Sequence, residues 1–315
     1  MVNGILLLDK PIGISSHDLV NMVRRVLKQK RVGHAGILDP LATGLMVMLL
    51  GKGTLFSPQL TGSDKRYSAV LSFGKSTNTF DSEGQFIEEK DPGKLDLSEF
   101  KRACDSFIGN FKQLVPPFSA VKLNGKRMYK SARDGEEVPA KYKEVNVYSI
   151  DILTFDWPDV SVDIKCGAGT YVRSLAHELG QKLGCGGYLK KLVRTGIGDF
   201  DLDDTISIEK LEEAVGAGDL SAVKPLVDAF PDRPTIKIRS EYCKSILEGK
   251  PFIKRYLERT DYKGPGGCLS LLLGPEEKVL AVVTLNYNWG SYNRLEGRDV
   301  LGKYVRIIDE GHIRN

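Results

Sequence analysis

The chain alternates short apolar runs with turn-forming clusters from its first residues. Ile5-Leu6-Leu7-Leu8 is an apolar run closed by Asp9 and the turn Lys10-Pro11-Ile12-Gly13, and it reads as a strand. Ser15 or Ser16 then opens a helix. Asp18 stands three residues after Ser15, as in a capping box, and Leu19, Val20, Val23, Val26 and Leu27 recur with a period near 3.6. Tyr67, Ala69, Leu71 and Phe73 alternate with Ser68 and Ser72, which predicts a strand with one buried face. Residues 96–108 read as a helix, and 145–155 and 160–166 as strands. After Gly167-Ala168-Gly169-Thr170, the positions Val172, Leu175, Ala176, Leu179 and Leu183 share one helical face, ended by Gly184-Cys185-Gly186-Gly187. Residues 228–234 have the composition of a linker. Beyond them, 268–273 and 279–285 predict short strands with glycine turns and no long helix, a small β domain.

A length of 315 residues makes two domains the expectation. With 41% apolar and 27% charged residues the composition is that of a soluble globular protein. The longest apolar run, residues 45–50, is far short of the roughly 18 needed to span a bilayer, so a membrane protein is not expected. The first residues carry no basic segment, and neither a secretory signal nor an Arg-rich transit peptide fits. Five scattered cysteines without a CxxC pair argue against a zinc ribbon or thioredoxin-like site and suit a reducing cytoplasm. The net charge of +4 is mild, but it hides a local excess. Between residues 122 and 143, Lys122, Lys126, Arg127, Lys130, Arg133, Lys141 and Lys143 face only Asp134, Glu136 and Glu137, with Tyr129 and Tyr142 among them. Such a stretch is either a solvated excursion or the footprint of a phosphate backbone.

Candidate chemistry concentrates in three places. In Gly33-His34-Ala35-Gly36-Ile37-Leu38-Asp39-Pro40-Leu41-Ala42-Thr43-Gly44, Pro40 pushes Asp39 out of the α region. Its carboxylate then stands on an extended turn, or else caps a helix with Pro40 in first position. Arg173 falls in the first turn of a helix, where the macrodipole disfavours a cation, so it either meets an anion, with distant Asp39 a candidate, or faces solvent. Asp64-Lys65-Arg66-Tyr67 opens the alternating strand, where Tyr67 is functional or simply core. The strand–Gly-x-Gly–helix around Gly167 and Gly169 is a poor dinucleotide fingerprint, because Val172 occupies the third glycine position and no acid stands about 20 residues on. His177 and Cys185 lack metal-ligand spacing.

Taken together, these segments resemble the bacterial tRNA pseudouridine-55 synthases of the TruB family over essentially the whole chain. The resemblance is carried by Gly4-Ile5-Leu6-Leu7-Leu8-Asp9-Lys10-Pro11, the Gly33-to-Gly44 segment, Asp64-Lys65-Arg66-Tyr67, Pro116-Pro117-Phe118-Ser119-Ala120-Val121-Lys122, Gly169-Thr170-Tyr171-Val172-Arg173-Ser174, and Leu183-Gly184-Cys185-Gly186-Gly187 with Leu192 and Arg194 downstream. It implies an α+β pseudouridine-synthase fold, a large mixed, mainly antiparallel sheet flanked by helices and loops. A catalytic domain over 1–232, with a thumb-like insertion about 115–143, would precede a PUA-like RNA-binding domain over 233–315.

The implied reaction isomerises a T-loop uridine of tRNA after base flipping. It needs no cofactor or metal. The resemblance makes Asp39 the essential carboxylate, Arg173 its partner and Tyr67 the ring that stacks on the flipped base. A phenol with a reference pKa near 10 is a poor base, so stacking is the safer role for Tyr67. Tyr171 and Leu192 would line the pocket, His34 would fill the space left by the extruded nucleotide, and Lys10, Lys122, Lys126, Arg127 and Lys130 would bind substrate. The expected enzyme is cytoplasmic and monomeric, takes the T-arm of tRNA, and needs neither membrane nor protein partner. Two alternatives stay open: an RNA-guided, dyskerin-type synthase, which relies on protein partners and lacks the thumb, and a non-catalytic RNA-binding or RNA-folding protein.

Overall fold

The computed structural model describes residues 1–119, 121–123, 126–128, 139–230, 233–258, 266–288, 291 and 294–308. Ser15 caps the helix Ser16–Val26. Its hydroxyl accepts the Asp18 N–H at 3.2 Å while the Asp18 carboxylate accepts the Ser15 N–H at 3.0 Å, the reciprocal pair of a capping box. Asp96 and Glu99 cap the helix Leu97–Asp105 in the same way. That helix stops before residue 108, because Phe107 and Ile108 turn back onto the Cys104 and Asp105 carbonyls and Gly109 follows at φ +96°. The helix Val172–Lys182 starts immediately after Tyr171, and buries Val172, Leu175, Ala176 and Leu179 as their spacing predicts.

The main sheet runs in the order Gly4–Lys10, Thr43–Leu50, Gly187–Ile197, Lys65–Phe73, Asp159–Cys166, Tyr142–Asp156, Gly109–Leu114. Val32–His34 and Phe200–Asp201 add to Thr43–Leu50 and Gly187–Ile197 respectively. Among the described residues, the one parallel strand pair in this sheet is Gly187–Ile197 on Thr43–Leu50, so the sheet is mixed and mainly antiparallel, as expected.

The two apolar runs that do not alternate, at 5–8 and 45–50, are explained by burial on both faces. Leu6, Leu8, Met46 and Met48 pack under Leu19, Val20 and Val23 of the first helix. Ile5, Leu7, Leu45, Val47 and Leu49 point the other way, into a cluster with Leu271, Leu273, Val279, Val282 and Ile308. Leu271, Leu273, Val279 and Val282 belong to a second sheet in the order Thr235–Lys237, Leu269–Leu273, Val279–Leu285, Gly302–Ile307, and Ile308 directly follows its last strand. Its other face has a core of its own that includes Ile236, Ile246, Phe252 and Val283.

The small β domain is therefore packed onto the large sheet through a shared apolar core. The expected linker is correspondingly not a free tether at its start. Leu226–Ala229 forms a 3-10 turn with Leu226 and Ala229 buried, and Phe230 meets Phe56 edge-on at 5.2 Å between ring centroids. Pro231 and Asp232 lie outside the described residues. No helix among the described residues is long and apolar enough to cross a membrane.

Candidate active site

The site begins with a split in the sheet. On the side away from Gly4–Lys10, Thr43–Leu50 pairs with Gly187–Ile197 at Thr43 and Gly44, and with Val32–His34 from Met48 to Leu50. Between these partners the ladder is open at Leu45 and Met46, and the loop 35–42 leaves through the gap. Arg194, 1% exposed, fills it. Its Nε donates to the Leu45 carbonyl at 2.8 Å, its Nη1 to Ile37 O at 3.1 Å and its Nη2 to Gly36 O at 3.5 Å. One buried guanidinium thus satisfies backbone acceptors of both strand and loop, which would be costly left unpaired.

Gly44 permits this approach: it has φ +103°, and a Cβ there would lie 2.4 Å from the Arg194 carbonyl oxygen. Gly44→Ala is expected to cost on the order of 2–3 kcal/mol and to lower the melting temperature by roughly 5–10 °C. A melting curve that superimposes on wild type would show that the close approach is not needed.

Asp39 is carried by that loop, on a turn and not at a helix cap. The Ala42 N–H bonds back to Asp39 O at 3.1 Å, and the chain enters the strand at Thr43 with no helix after Pro40. Ser16 Oγ holds both Leu38 N (2.8 Å) and Leu38 O (2.9 Å), fastening the loop to the start of the first helix. Lys10 acts from the other side. It is fully buried, and its Nζ donates to Pro11 O at 2.8 Å, Ile14 O at 2.9 Å and Pro40 O at 3.4 Å, with burial pushing the amine down to about 8. Expected to bind substrate, Lys10 instead holds the loop from beneath, because its ammonium is spent on backbone carbonyls.

Arg173 meets two carboxylates. Its Nε lies 2.9 Å from Asp39 Oδ2 and its Nη2 donates to Asp39 Oδ1 at 3.3 Å, while Nη1 reaches Asp81 Oδ2 at 3.2 Å and Thr79 O at 3.3 Å. Nη2 also donates to Phe118 O at 3.3 Å, at the base of the basic insertion. The Arg173 and Asp81 side chains are 6% and 4% exposed, whereas Asp39 keeps 31%. The cation in the first helical turn therefore does find its anion, and one of the two carboxylates it holds is open to a ligand. Asp81 is itself fixed by the Thr79 hydroxyl at 2.6 Å and the Glu83 N–H at 3.1 Å.

Tyr67 lies directly across the strand pair from Arg194, with Leu192 opposite Ala69 on the same face. Burial pushes the Tyr67 phenol upward, with the Arg194 charge opposing, so the hydroxyl is protonated at neutral pH. His34 accepts the Gly36 N–H on Nδ1 at 3.2 Å, and burial pushes its pKa down, keeping the imidazole neutral. Tyr171 is clamped by Gln113, whose Oε1 accepts its N–H at 2.8 Å and whose Nε2 donates to its carbonyl at 3.1 Å. Lys122–Leu123 and Lys126–Arg127 pair as a small antiparallel ribbon, described in backbone only. Lys130 lies outside the described residues.

Glu178, on the same helix as Arg173, accepts the Leu114 N–H at 2.8 Å, and burial pushes its carboxyl up to about 7 from an ordinary 4.5. The folded chain then binds more protons than the unfolded one between those values, so stability falls as pH rises through that window. Glu178→Gln removes the titration. Its melting temperature relative to wild type is expected to climb from pH 5 to pH 7.5, and a pH-independent difference would refute the buried acid.

Sequence reasoning overlooked Asp81, Gln113 and the clamp role of Arg194. Asp81 sits in an ordinary-looking polar turn, Asn78-Thr79-Phe80-Asp81-Ser82, and Arg194 in a strand, so their partners become visible only once the sheet is assembled.

Comparison with known proteins identifies the family. Residues 24–172 match the TruB family pseudouridylate synthase N-terminal domain and 173–228 the tRNA pseudouridylate synthase B C-terminal domain. The chain is 38% identical to the tRNA pseudouridine synthase B of Geobacter sulfurreducens over 293 residues, covering 92% of this chain and 96% of that one. It is 37% identical to that of Alkaliphilus oremlandii over 307 residues, 98% of each. Among solved structures, a chain of a Cbf5-Nop10-Gar1 complex superimposes with a TM-score of 0.74 at 22% identity, covering 96% of this chain and 84% of that one, a likeness of fold.

Proposed function

The chain belongs to the TruB family of pseudouridylate synthases, and on that premise we propose that it converts uridine-55 in the T-loop of tRNA to pseudouridine. The observation that carries this reading is the Asp39 carboxylate, held by Arg173 on two oxygens yet still partly open to a ligand. In the isomerisation the C1′–N1 bond breaks and a C5–C1′ bond forms. The proton that C5 gives up is matched by one that N1 takes, so no oxidant or reductant enters. Asp39 is the carboxylate that works on the nucleotide, and Arg173 fixes its orientation without occupying its exposed edge. The uracil has to leave its stack to reach it. Tyr67 and Tyr171 then offer the aromatic surface that offsets part of the unstacking cost, and Leu192 an apolar wall.

Lys122, Lys126, Arg127 and Lys130 are assigned to the RNA backbone, and residues 233–315 to a PUA-like RNA-binding domain. The enzyme acts as a monomer without protein partners, in the cytoplasm. The near-complete coverage of relatives named tRNA pseudouridine synthase B supports stand-alone action. The test is tritium release from a T-arm hairpin labelled at uridine C5. Release at enzyme-dependent rates is expected, whereas binding without release would leave only an RNA-binding protein.

A further inference from the structure

The first helix ends in a basic stretch that the reaction does not use. Arg24, Arg25, Lys28, Lys30 and Arg31 fall within eight residues that contain no acid, so the segment carries more positive charge than the net +4 of the whole chain. Arg24, Arg25, Lys28, Gln29 and Lys30 line an open cleft of about 480 Å³. Arg25, Lys28 and Lys30 are exposed and have no ion-pair partner among the described residues. Arg31 is drawn off, its Nε donating to Thr54 Oγ1 at 2.9 Å. Arg24 is anchored by Asn21 Oδ1 at 3.1 Å and Val32 O at 3.1 Å, while its buried Nε has no hydrogen-bond partner.

Complementing the helix dipole accounts for Arg24 and Arg25, which lie in the last turn. It does not account for Lys28 and Lys30, which lie past the end. Lys28 adopts φ +48°, a C-terminal cap position that glycine fills at least cost. The cap folds the chain back through the Lys28 N–H to Arg25 O at 3.2 Å and the Gln29 N–H to Arg24 O at 3.1 Å, and this gathers the cations around one cleft.

We propose that this cleft grips the phosphate backbone of the same RNA whose uridine enters the Asp39 site, an inference that rests on the RNA-modifying function above. The other end of the helix holds Leu38, the neighbour of Asp39, through Ser16. Eleven helical residues separate the two ends by roughly 16 Å, the rise of about five stacked nucleotides. The cleft supplies affinity and register, with no part in bond breaking.

The test combines Arg25→Gln, Lys28→Gln and Lys30→Gln, all at exposed positions, in the full chain. Dissociation constants for full-length tRNA are measured from 50 to 200 mM KCl, with single-turnover tritium release at saturating RNA. Loss of three phosphate contacts is expected to reduce the salt slope by about 2.1–2.7, so the variant's affinity falls roughly 20- to 40-fold less than wild type's across that range. The saturated rate should stay within about twofold. An unchanged slope and affinity would overturn the proposal and leave the cleft as a solvated surface or a site for an acidic protein. Wild-type enzyme in the same assay separates the two readings, since absence of its tritium release would count against the catalytic function and not against the cleft.

Discussion

Asp39→Asn is expected to slow isomerisation by at least about a thousandfold, a loss of roughly 4 kcal/mol of transition-state stabilisation, while tRNA affinity stays within about threefold of wild type. Asparagine has nearly the same volume, and the contacts that shape the loop are made by neighbours: Ser16 on Leu38, Lys10 on Pro40, Arg194 on Gly36 and Ile37. What disappears is the negative charge between Arg173 and the bound nucleotide. Single-turnover tritium release with saturating enzyme checks the rate, and filter binding the affinity. Turnover within about tenfold of wild type would show that Asp39 is not the essential carboxylate.

Arg173→Lys is expected to lose about a hundredfold in rate and to be less stable by on the order of 2 kcal/mol, although the charge is kept. The guanidinium reaches Asp39 with two nitrogens and Asp81 with a third, and also serves the Thr79 and Phe118 carbonyls. One ammonium cannot reproduce that fork. If it stays with buried Asp81, Asp39 loses its orientation; if it follows Asp39, a carboxylate with 4% exposure is left without its cation. Single-turnover rates together with thermal melts measure both effects. Near-wild-type values in both would show that neither the rate nor the stability depends on the forked contact of Arg173.

Local signals read the elements well where the physics is local. The Ser15–Asp18 capping box, the alternation from Tyr67 to Phe73 and the apolar face of Val172–Lys182 all depend on residues within a turn or two of each other. The end of the helix near residue 105 was less legible, since a tightening last turn and a glycine past it decide the boundary. In the stretch 228–234 the prolines and aspartates give the composition of a linker, while the partial burial of Phe230 depends on Phe56, far away in sequence.

By itself, the sequence determined the helices and most strands, the two-part organisation and, through its ordered motifs, Asp39, Tyr67 and Arg173 as the residues to watch. The unfavourable place of Arg173 at a helix start left two readings by itself, an anionic partner or solvent. Only the tertiary structure decided which anions these are, and that Asp81 is a second one. It also decided that Lys10 holds a loop, that Arg194 closes a split in the sheet, and that the small β domain shares a core with the large one. For the charged residues the reason is shared: a buried charge must find partners where the folded backbone leaves acceptors or carboxylates unpaired, and assembly of the sheet and its loops brings these from 30 residues away for Lys10 and Pro40 to 149 for Arg194 and Leu45, which no local pattern encodes.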